Sequence, residues 1–553
     1  MTKLPTSTLR RLVIALMLAA VVWCGIRNFY VPPEYSRAFR NVPDGVENTL
    51  AMKNFMDGHG FTIRLNGVDR PARYQPWFSF MFVAPALLFA GGNVLCAWYG
   101  CFAAGVVALL AAFFIGRKLG GGACGVLLAA VLAVFADFAR YASVPMTEVP
   151  CTMLLMLAAL AFLKLCESRE TRVADCLLFG VCCAFAGALR STSLVLAALV
   201  IVPLWRRRSE RKTCWAALAA AALPVLAVAA ANAICNRAVF GEFFRSGYHY
   251  WEPRNYDCLD MTFNWRYVGR NLRGHASMLN LWFLLLPAAA TAFCWFFLRR
   301  RDREKARLLG YFAVFVAAVA AVTAAVYLPY YFPYQDRFFV PVRTLALLCG
   351  TAAAALLAES FFRRRGDAAL GVTALAVALF PWPDPHREEL EHDALRSAKI
   401  ELLMKMGDTL PDNAVLLTLF PQGPAEYFFV GRTERRIVPL YRCYEYAEMV
   451  TAKRKIPAPP GGFGKMTERD ASDYLASHGG VRPYPFVYSE APEELDKLVR
   501  SGVPVYVSDY SLLIHGPVPE LEGALRRLFE KYRLVPVGNT ANFTFYRLTP
   551  RRP

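Results

Sequence analysis

Apolar runs of bilayer-spanning length recur along the chain at residues 11–30, 93–116, 120–137, 146–166, 174–189, 191–205, 213–234, 278–298, 308–328, 337–358 and 367–382. A helix needs about 20 apolar residues to cross a hydrocarbon core of about 30 Å, so the pattern predicts about eleven transmembrane helices. One more run, 77–91, is apolar but short, carries Pro85 and ends in Gly91, Gly92 and Asn93. Beyond about residue 383 the pattern changes. Apolar runs shorten to strand length at 414–419, 503–508, 533–537 and 543–547, and they alternate with amphipathic helical stretches at 388–406, 493–501 and 519–531. Strands alternating with helices predict a small α/β layer domain. The fold class is therefore a polytopic α-helical membrane protein with a C-terminal extracytoplasmic α/β domain, divided into 1–383 and 384–553. The Pro- and Gly-rich insert 456–464 reads as a loop or lid.

Charge settles the ambiguous run. Lys and Arg exceed Asp and Glu by +19, yet they bunch in short connections: Arg117 and Lys118; Arg206 to Arg208 with Arg211 and Lys212; Arg299 to Arg301 through Arg307; and Arg363 to Arg365. Basic clusters abutting apolar runs belong on the cytoplasmic side, so the excess describes membrane topology and not a nucleic-acid partner. If 77–91 crossed, every later cluster would face away from Arg10 and Arg11. Read as a juxtamembrane or re-entrant helix, it lets all of them share one side. The N-terminus is then inside. Outside lie the first outer loop (30–92), the short loop 137–148, the tip at 190–193, the loop 235–277, the turn 327–337 and the C-terminal domain. The first run lacks a small-residue cleavage site and reads as a retained helix.

With 56% hydrophobic residues, the chain cannot be a soluble protein with one core. Its fifteen cysteines lie mostly inside apolar runs, where Cys acts as a small hydrophobe. Cys235, Cys258 and Cys443 are too scattered to imply a disulfide framework. No Gly-rich phosphate fingerprint appears, which argues against a nucleotide site. Ionisable residues sit at span ends, as Asp137, Glu148, Arg190 and Arg337 do, so the relay expected of an ion-coupled transporter is missing.

The polar stretch 30–76 between the first two hydrophobic segments carries the candidate chemistry. Asp44 and Glu47 stand at the start of a helical pattern over about 45–57, where carboxylates favour the positive end of the dipole. Glu148 is a second acidic candidate on the same predicted face. A carboxylate there can act as general base toward an acceptor hydroxyl or amine, while Arg73, Tyr74, Arg190 and Arg337 are suited to a phosphate. The set Tyr327, Tyr330, Tyr331, Phe332 and Tyr334 reads as an interfacial aromatic belt. Asp137 and Glu148 are also oxygen ligands of the type a divalent metal ion takes. Without clustered His partners they are assigned no metal site, and a divalent ion is left as an open alternative.

Asp44, followed after a fixed interval by Gly58 and His59, and then by Arg73, Tyr74, Gln75, Pro76 and Trp77, resembles the first outer loop of GT-C fold membrane glycosyltransferases. The likeness is to the protein O-mannosyltransferase and lipid A aminoarabinose transferase type. Glu148 resembles that family's second acidic position, Arg190 its basic residue at the next outer tip, and Asp336, Arg337 and Pro341 its late Arg-to-Pro motif. Gly45 stands where the family often has Glu, and Gln75 with Pro76 replaces the commoner Pro pair. The resemblance implies a glycosyltransferase of the inner membrane. Its donor would be a polyprenyl-phosphate-linked sugar, drawn from the membrane lipid, and its acceptor a glycan, lipid or protein on the outer face. It further implies Asp44, Glu47 and Glu148 as catalytic residues and Arg73, Tyr74, Arg190 and Arg337 as donor-phosphate ligands. The alternative class is a transporter or flippase of a lipid-linked glycan.

Overall fold

A computed structural model describes residues 6–31, 43–65, 68–168, 170–205, 211–251, 259–277, 282–331, 336–362, 366–382, 394–418, 435–439, 455–462, 474, 477–478, 495–513, 526 and 528–551. In chain order, α1 (Thr6–Phe29) is followed by α2 (Pro43–Met56), a hairpin of β1 (Thr62–Leu65) and β2 (Val68–Pro71), a π-helical turn at Ser79–Val83 and the short α3 (Ala84–Phe89). Next come α4 (Tyr99–Val134), α5 (Ala136–Ala142), α6 (Glu148–Glu167), α7 (Val173–Leu189), a 3-10 run at Ser191–Val200 and α8 (Ile201–Trp205). They lead to α9 (Arg211–Phe240), α10 (Gly247–Trp251), α11 (Leu259–Thr262) and α12 (Val268–Ser277). The helical part closes with α13 (Trp282–Arg301), α14 (Arg303–Tyr327), α15 (Val340–Phe362) and α16 (Gly366–Leu379). The last elements are α17 (Ala394–Thr409), β3 (Val415–Thr418), β4 (Arg436–Pro439), α18 (Leu495–Arg500), β5 (Val505–Ser508), α19 (Asp509–Leu513), β6 (Tyr532–Asn539) and β7 (Thr544–Pro550).

The chain forms two compact units. One comprises Met1–Ser36, Trp77–Ala238 and Asp260–Arg387; the other comprises Arg37–Pro76, Val239–Leu259 and Glu388–Pro553.

Among the described residues, seven helices are long and apolar enough to cross a membrane, and Ser79–Phe89, Val173–Leu189, Ser191–Trp205 and Gly366–Leu379 are shorter apolar helices. The two predicted runs 93–116 and 120–137 are the two legs of α4, which is broken at Gly120 and Gly121. Gly121 takes φ +86°, a conformation that side chains disfavour. Past the break the legs pack backbone to backbone, for a Cβ on Gly116 would lie 2.7 Å from Gly125 Cα. Small residues at the crossing permit that approach. The run 191–205 is 3-10 for most of its length before α8. Within segment 77–91 the chain is helical over Ser79–Phe89, and Trp77 Nε1 donates to Asn232 Oδ1 at 2.6 Å.

Ion pairs of this unit gather at the two ends of the bundle. At one end Arg10 pairs with Asp367, Lys118 with Glu167, Lys164 with Asp175 and Lys305 with Glu359. At the other end Arg190 pairs with Glu148, and Arg343 with Asp137 and Asp336. Between them lies an apolar core that includes Leu109, Leu132, Phe138, Phe162, Phe179, Phe312 and Leu345.

The second unit is built on a sheet of order β4-β3-β5-β7-β6, parallel across β4, β3 and β5 and antiparallel across β5, β7 and β6. All four residues of β3 and of β5 are buried, as in a sheet covered on both faces. Leu416, Tyr506 and Phe545 pack with Leu402, Leu403 and Met406 of α17, and the same cluster takes in Ala51 of α2, Ile63 of β1 and Ala72. Val415, Leu417 and Val507 turn the other way, onto Leu495 and Leu498 of α18. Arg435 is buried and donates to the carbonyls of Gly407, Leu410 and Pro411, a cation closing the negative end of α17. β4 and the β1–β2 hairpin add to the strands expected from the sequence. Most of 519–531, part of 456–464, Cys258, Cys443, Phe332 and Tyr334 lie outside the described residues.

Candidate functional site

The predicted residues fall into two clusters, one in each unit. In the sheet-bearing unit, α2 begins at Pro43, a residue suited to a first helical turn, and places Asp44 in that turn. Asp44 is half-buried and Glu47, about one turn further on, is 1% exposed. Arg73 Nη2 donates to Glu47 Oε1 at 2.5 Å. A carboxylate so deeply buried needs a cation beside it, because desolvation would otherwise favour its neutral form. Arg73, expected as a phosphate ligand, therefore already holds a carboxylate.

Tyr74 follows on the same strand exit. The Arg73 guanidinium carbon lies 5.6 Å from its ring centroid, and the ring meets Tyr248 edge-on at 5.5 Å. Burial, with the Asp44 carboxylate next and Arg73 opposing, raises the Tyr74 phenol well above its ordinary range, with smaller upward contributions from Glu47 and Tyr248. Tyr74 is consequently a neutral O–H donor at any working pH.

Residues 247–250 close against these residues. A Cβ on Gly247 would lie 2.3 Å from the Ala72 carbonyl oxygen and 2.4 Å from that of Arg73, so only glycine fits. Arg70 Nη1 donates to Tyr250 Oη at 3.3 Å. His59 faces Asp69, its Nδ1 being 3.5 Å from Oδ2, in the turn where Gly58 and Gly60 take positive φ.

In the helical unit, Glu148 opens α6 and is 1% exposed. Its Oε1 accepts from Arg190 Nη2 at 2.7 Å, while its Oε2 is buried with no hydrogen-bond partner among the described residues. Arg190, at the end of α7, also donates from Nη1 to the Phe338 carbonyl at 3.1 Å. Its guanidinium carbon stands 5.3 Å from the Phe338 ring, and that of Arg337 stands 5.1 Å from the same ring. Tyr327 stacks on Phe338 with centroids 4.2 Å apart. Two guanidinium groups thus stand beside one aromatic ring, and one of them, Arg190, is paired with the Glu148 carboxylate.

Arg343 is the residue that sequence reasoning missed. It is 2% exposed, with Nη2 3.1 Å from Asp137 Oδ2 and Nη1 2.7 Å from Asp336 Oδ1. A lone Arg two turns inside the predicted span 337–358 was the available signal, since charge within a span needs a partner. Burial nonetheless outweighs the Arg343 attraction and raises the Asp137 carboxyl above its usual range. Nearby His275 packs on Phe339 with centroids 4.5 Å apart, and burial lowers its pKa. Among the described residues no group of three or more His, Cys, Asp or Glu side chains converges to hold a metal ion.

No protein-family profile and no curated protein matches the chain. Among solved structures it is similar to ArnT from Cupriavidus metallidurans bound to undecaprenyl phosphate. There the TM-score is 0.55 at 12% identity, covering 98% of this chain and 98% of that one. The apo state of ArnT gives 0.52 at 13% identity, covering 97% of each chain. The archaeal oligosaccharyltransferase AglB from Archaeoglobus fulgidus, in complex with an inhibitory peptide and a dolichol-phosphate, gives 0.50 at 9% identity, covering 96% of this chain and 74% of that one. The chain accordingly has the GT-C fold, that of a polytopic helical membrane protein with a C-terminal sheet domain.

Proposed function

We propose that the protein is a glycosyltransferase that moves a sugar from a polyprenyl-phosphate carrier to an acceptor on the extracytoplasmic face. The fold likeness over nearly the whole chain to an ArnT structure holding undecaprenyl phosphate and an AglB structure holding a dolichol-phosphate supports the donor class. The observation that carries the catalytic assignment is the division of labour between two carboxylates of α2. Glu47 is buried and held by Arg73, whereas Asp44 is half-exposed at the helix start.

Asp44 serves as general base, taking the proton of the acceptor hydroxyl or amine. A bond forms between the acceptor atom and the anomeric carbon as the bond from that carbon to the phosphate oxygen breaks. The leaving group is the polyprenyl phosphate. A single displacement inverts the anomeric centre. Arg190 and Arg337 are assigned the charge of the phosphate, for which two guanidinium forks are well matched. Tyr74, kept protonated, donates a hydrogen bond, and Arg73 holds Glu47 in place. Glu148 keeps Arg190 oriented. Residues 247–250 are assigned a share in acceptor choice on the strength of their packing against residues 70–74.

The test is release of polyprenyl phosphate by purified protein in lipid, over a panel of polyprenyl-phosphate hexoses and pentoses, with Asp44→Asn and Glu148→Gln beside the wild type. Loss of turnover in Asp44→Asn with donor binding retained is expected. Absence of turnover with every donor, together with transbilayer movement of labelled lipid that survives Asp44→Asn, would place the protein among transporters.

A further inference from the structure

Away from both clusters, the helical unit holds a cavity of about 1610 Å³ bounded by α13 and α14, with α15 behind it. Small side chains recess its wall, among them Ala288, Ala292, Gly310, Ala317 and Ala346. Its rim is apolar and open, for Leu285, Phe296 and Val314 line it and are 48%, 64% and 43% exposed. Along α13 the lining runs from Leu284 to Arg300. At 1.5 Å per residue that is roughly 24 Å, more than the roughly 15 Å of one leaflet's hydrocarbon.

One end of this groove is strongly basic. Arg299, Arg300, Arg303 and Arg307 all line it, and none has an ion-pair partner among the described residues. Arg299 stands 5.3 Å from the ring centroid of Trp295, another lining residue. Of the acidic groups nearby, Asp302 caps α14 through the Lys305 backbone N–H, Glu359 holds the Lys305 ammonium, and the exposed Glu304 does not line the groove. Arg301 turns away onto Phe297 and Phe361. A long apolar groove that is open to the side and ends in four cations is complementary to a lipid bearing net negative charge. A zwitterionic headgroup would bring a fifth cation among the four.

We infer that this groove is a binding site for an anionic two-chain phospholipid of the leaflet on the basic side. Its phosphate is held by Arg299, Arg300, Arg303 and Arg307, and its acyl chains lie along α13 and α14. The inference stands apart from the catalytic reading, since none of these residues belongs to either candidate cluster. A polyprenyl chain entering from the opposite end would fill the same apolar volume without needing the arginines, and charge separates the two occupants.

Trp295 supplies the reporter. Protein reconstituted in vesicles containing brominated phosphatidylglycerol or brominated phosphatidylcholine is compared with its Trp295→Phe variant, so that the difference isolates quenching at Trp295. Phosphatidylglycerol is expected to quench at about a tenfold lower fraction of total lipid than phosphatidylcholine, and Arg303→Gln with Arg307→Gln to remove most of that preference. Ala317→Phe, which fills the groove, should weaken quenching by both lipids. Equal quenching of wild-type Trp295 by the two lipids would overturn the proposal without recourse to any other variant, and so would a preference that survives the paired substitution.

Discussion

Removing Arg190 tests whether the Glu148 pair organises its end of the bundle. Arg190→Met keeps much of the side-chain volume but leaves a carboxylate that is 1% exposed without the guanidinium 2.7 Å from its Oε1. Breaking a buried pair from one side costs about 3–5 kcal/mol. Glu148→Gln is milder, since Arg190 keeps a neutral acceptor and its bond to the Phe338 carbonyl, and about 2 kcal/mol is expected. The double variant leaves neither charge stranded, so it should cost less than the sum of the single variants by about 2–3 kcal/mol. The chain supplies its own assay. Cys101, Cys151, Cys176 and Cys183 are buried, so a thiol-reactive dye reports thermal unfolding above a background from exposed Cys235. Additive single and double variants would refute the reasoning and show that the two groups are solvated independently.

Four further outcomes are expected. Arg343→Met should lower the unfolding midpoint in the same dye assay, by a cost of about 3 kcal/mol, because Asp137 and Asp336 lose their shared cation; unchanged stability would mean that both carboxylates hydrate freely. Gly116→Val should cost about 2–3 kcal/mol by driving apart the legs of α4, and an unshifted midpoint would contradict the backbone contact. Gly247→Ala should lower turnover while leaving the helical unit's stability unchanged, since the added methyl pushes residues 247–250 off Ala72 and Arg73; equal turnover would detach those residues from the chemistry. The raised Tyr74 pKa gives stability that is fully present below its unfolded value of about 10 and is lost as pH rises through the higher folded value. Wild type should therefore lose more stability above pH ~10 than Tyr74→Phe does, and identical pH profiles would count against burial of that phenol.

Features set by short-range chemistry are the ones readable from the sequence. Pro43 and Asp44 announce the start of α2, and Pro85 with Gly91 and Gly92 mark 77–91 as a short stretch. The β1–β2 hairpin also had its signal, since Asn66 and Gly67 separate two short alternating stretches and that dipeptide favours a tight hairpin turn. β4 is only four residues, ends in Pro439 and pairs at an edge, so nothing local distinguishes it from a loop. Pairings such as Arg73 with Glu47 and Arg190 with Glu148 were beyond reach for a different reason. Each candidate cation and each candidate carboxylate was legible singly, but which of them neutralise one another depends on how the chain folds. The same holds for Arg435, whose partners are carbonyls that only a finished helix exposes.

The segregation of ion pairs to the two ends of the helical bundle has an electrical meaning. A membrane potential does about 2.3 kcal/mol of work per 100 mV on a charge carried across the bilayer, but almost none on a charge that stays at one face. With Glu148, Arg190, Asp137 and Arg343 all at one end, a reaction cycle confined to that end would be electrically silent, and collapsing the potential across sealed vesicles should leave its rate unchanged.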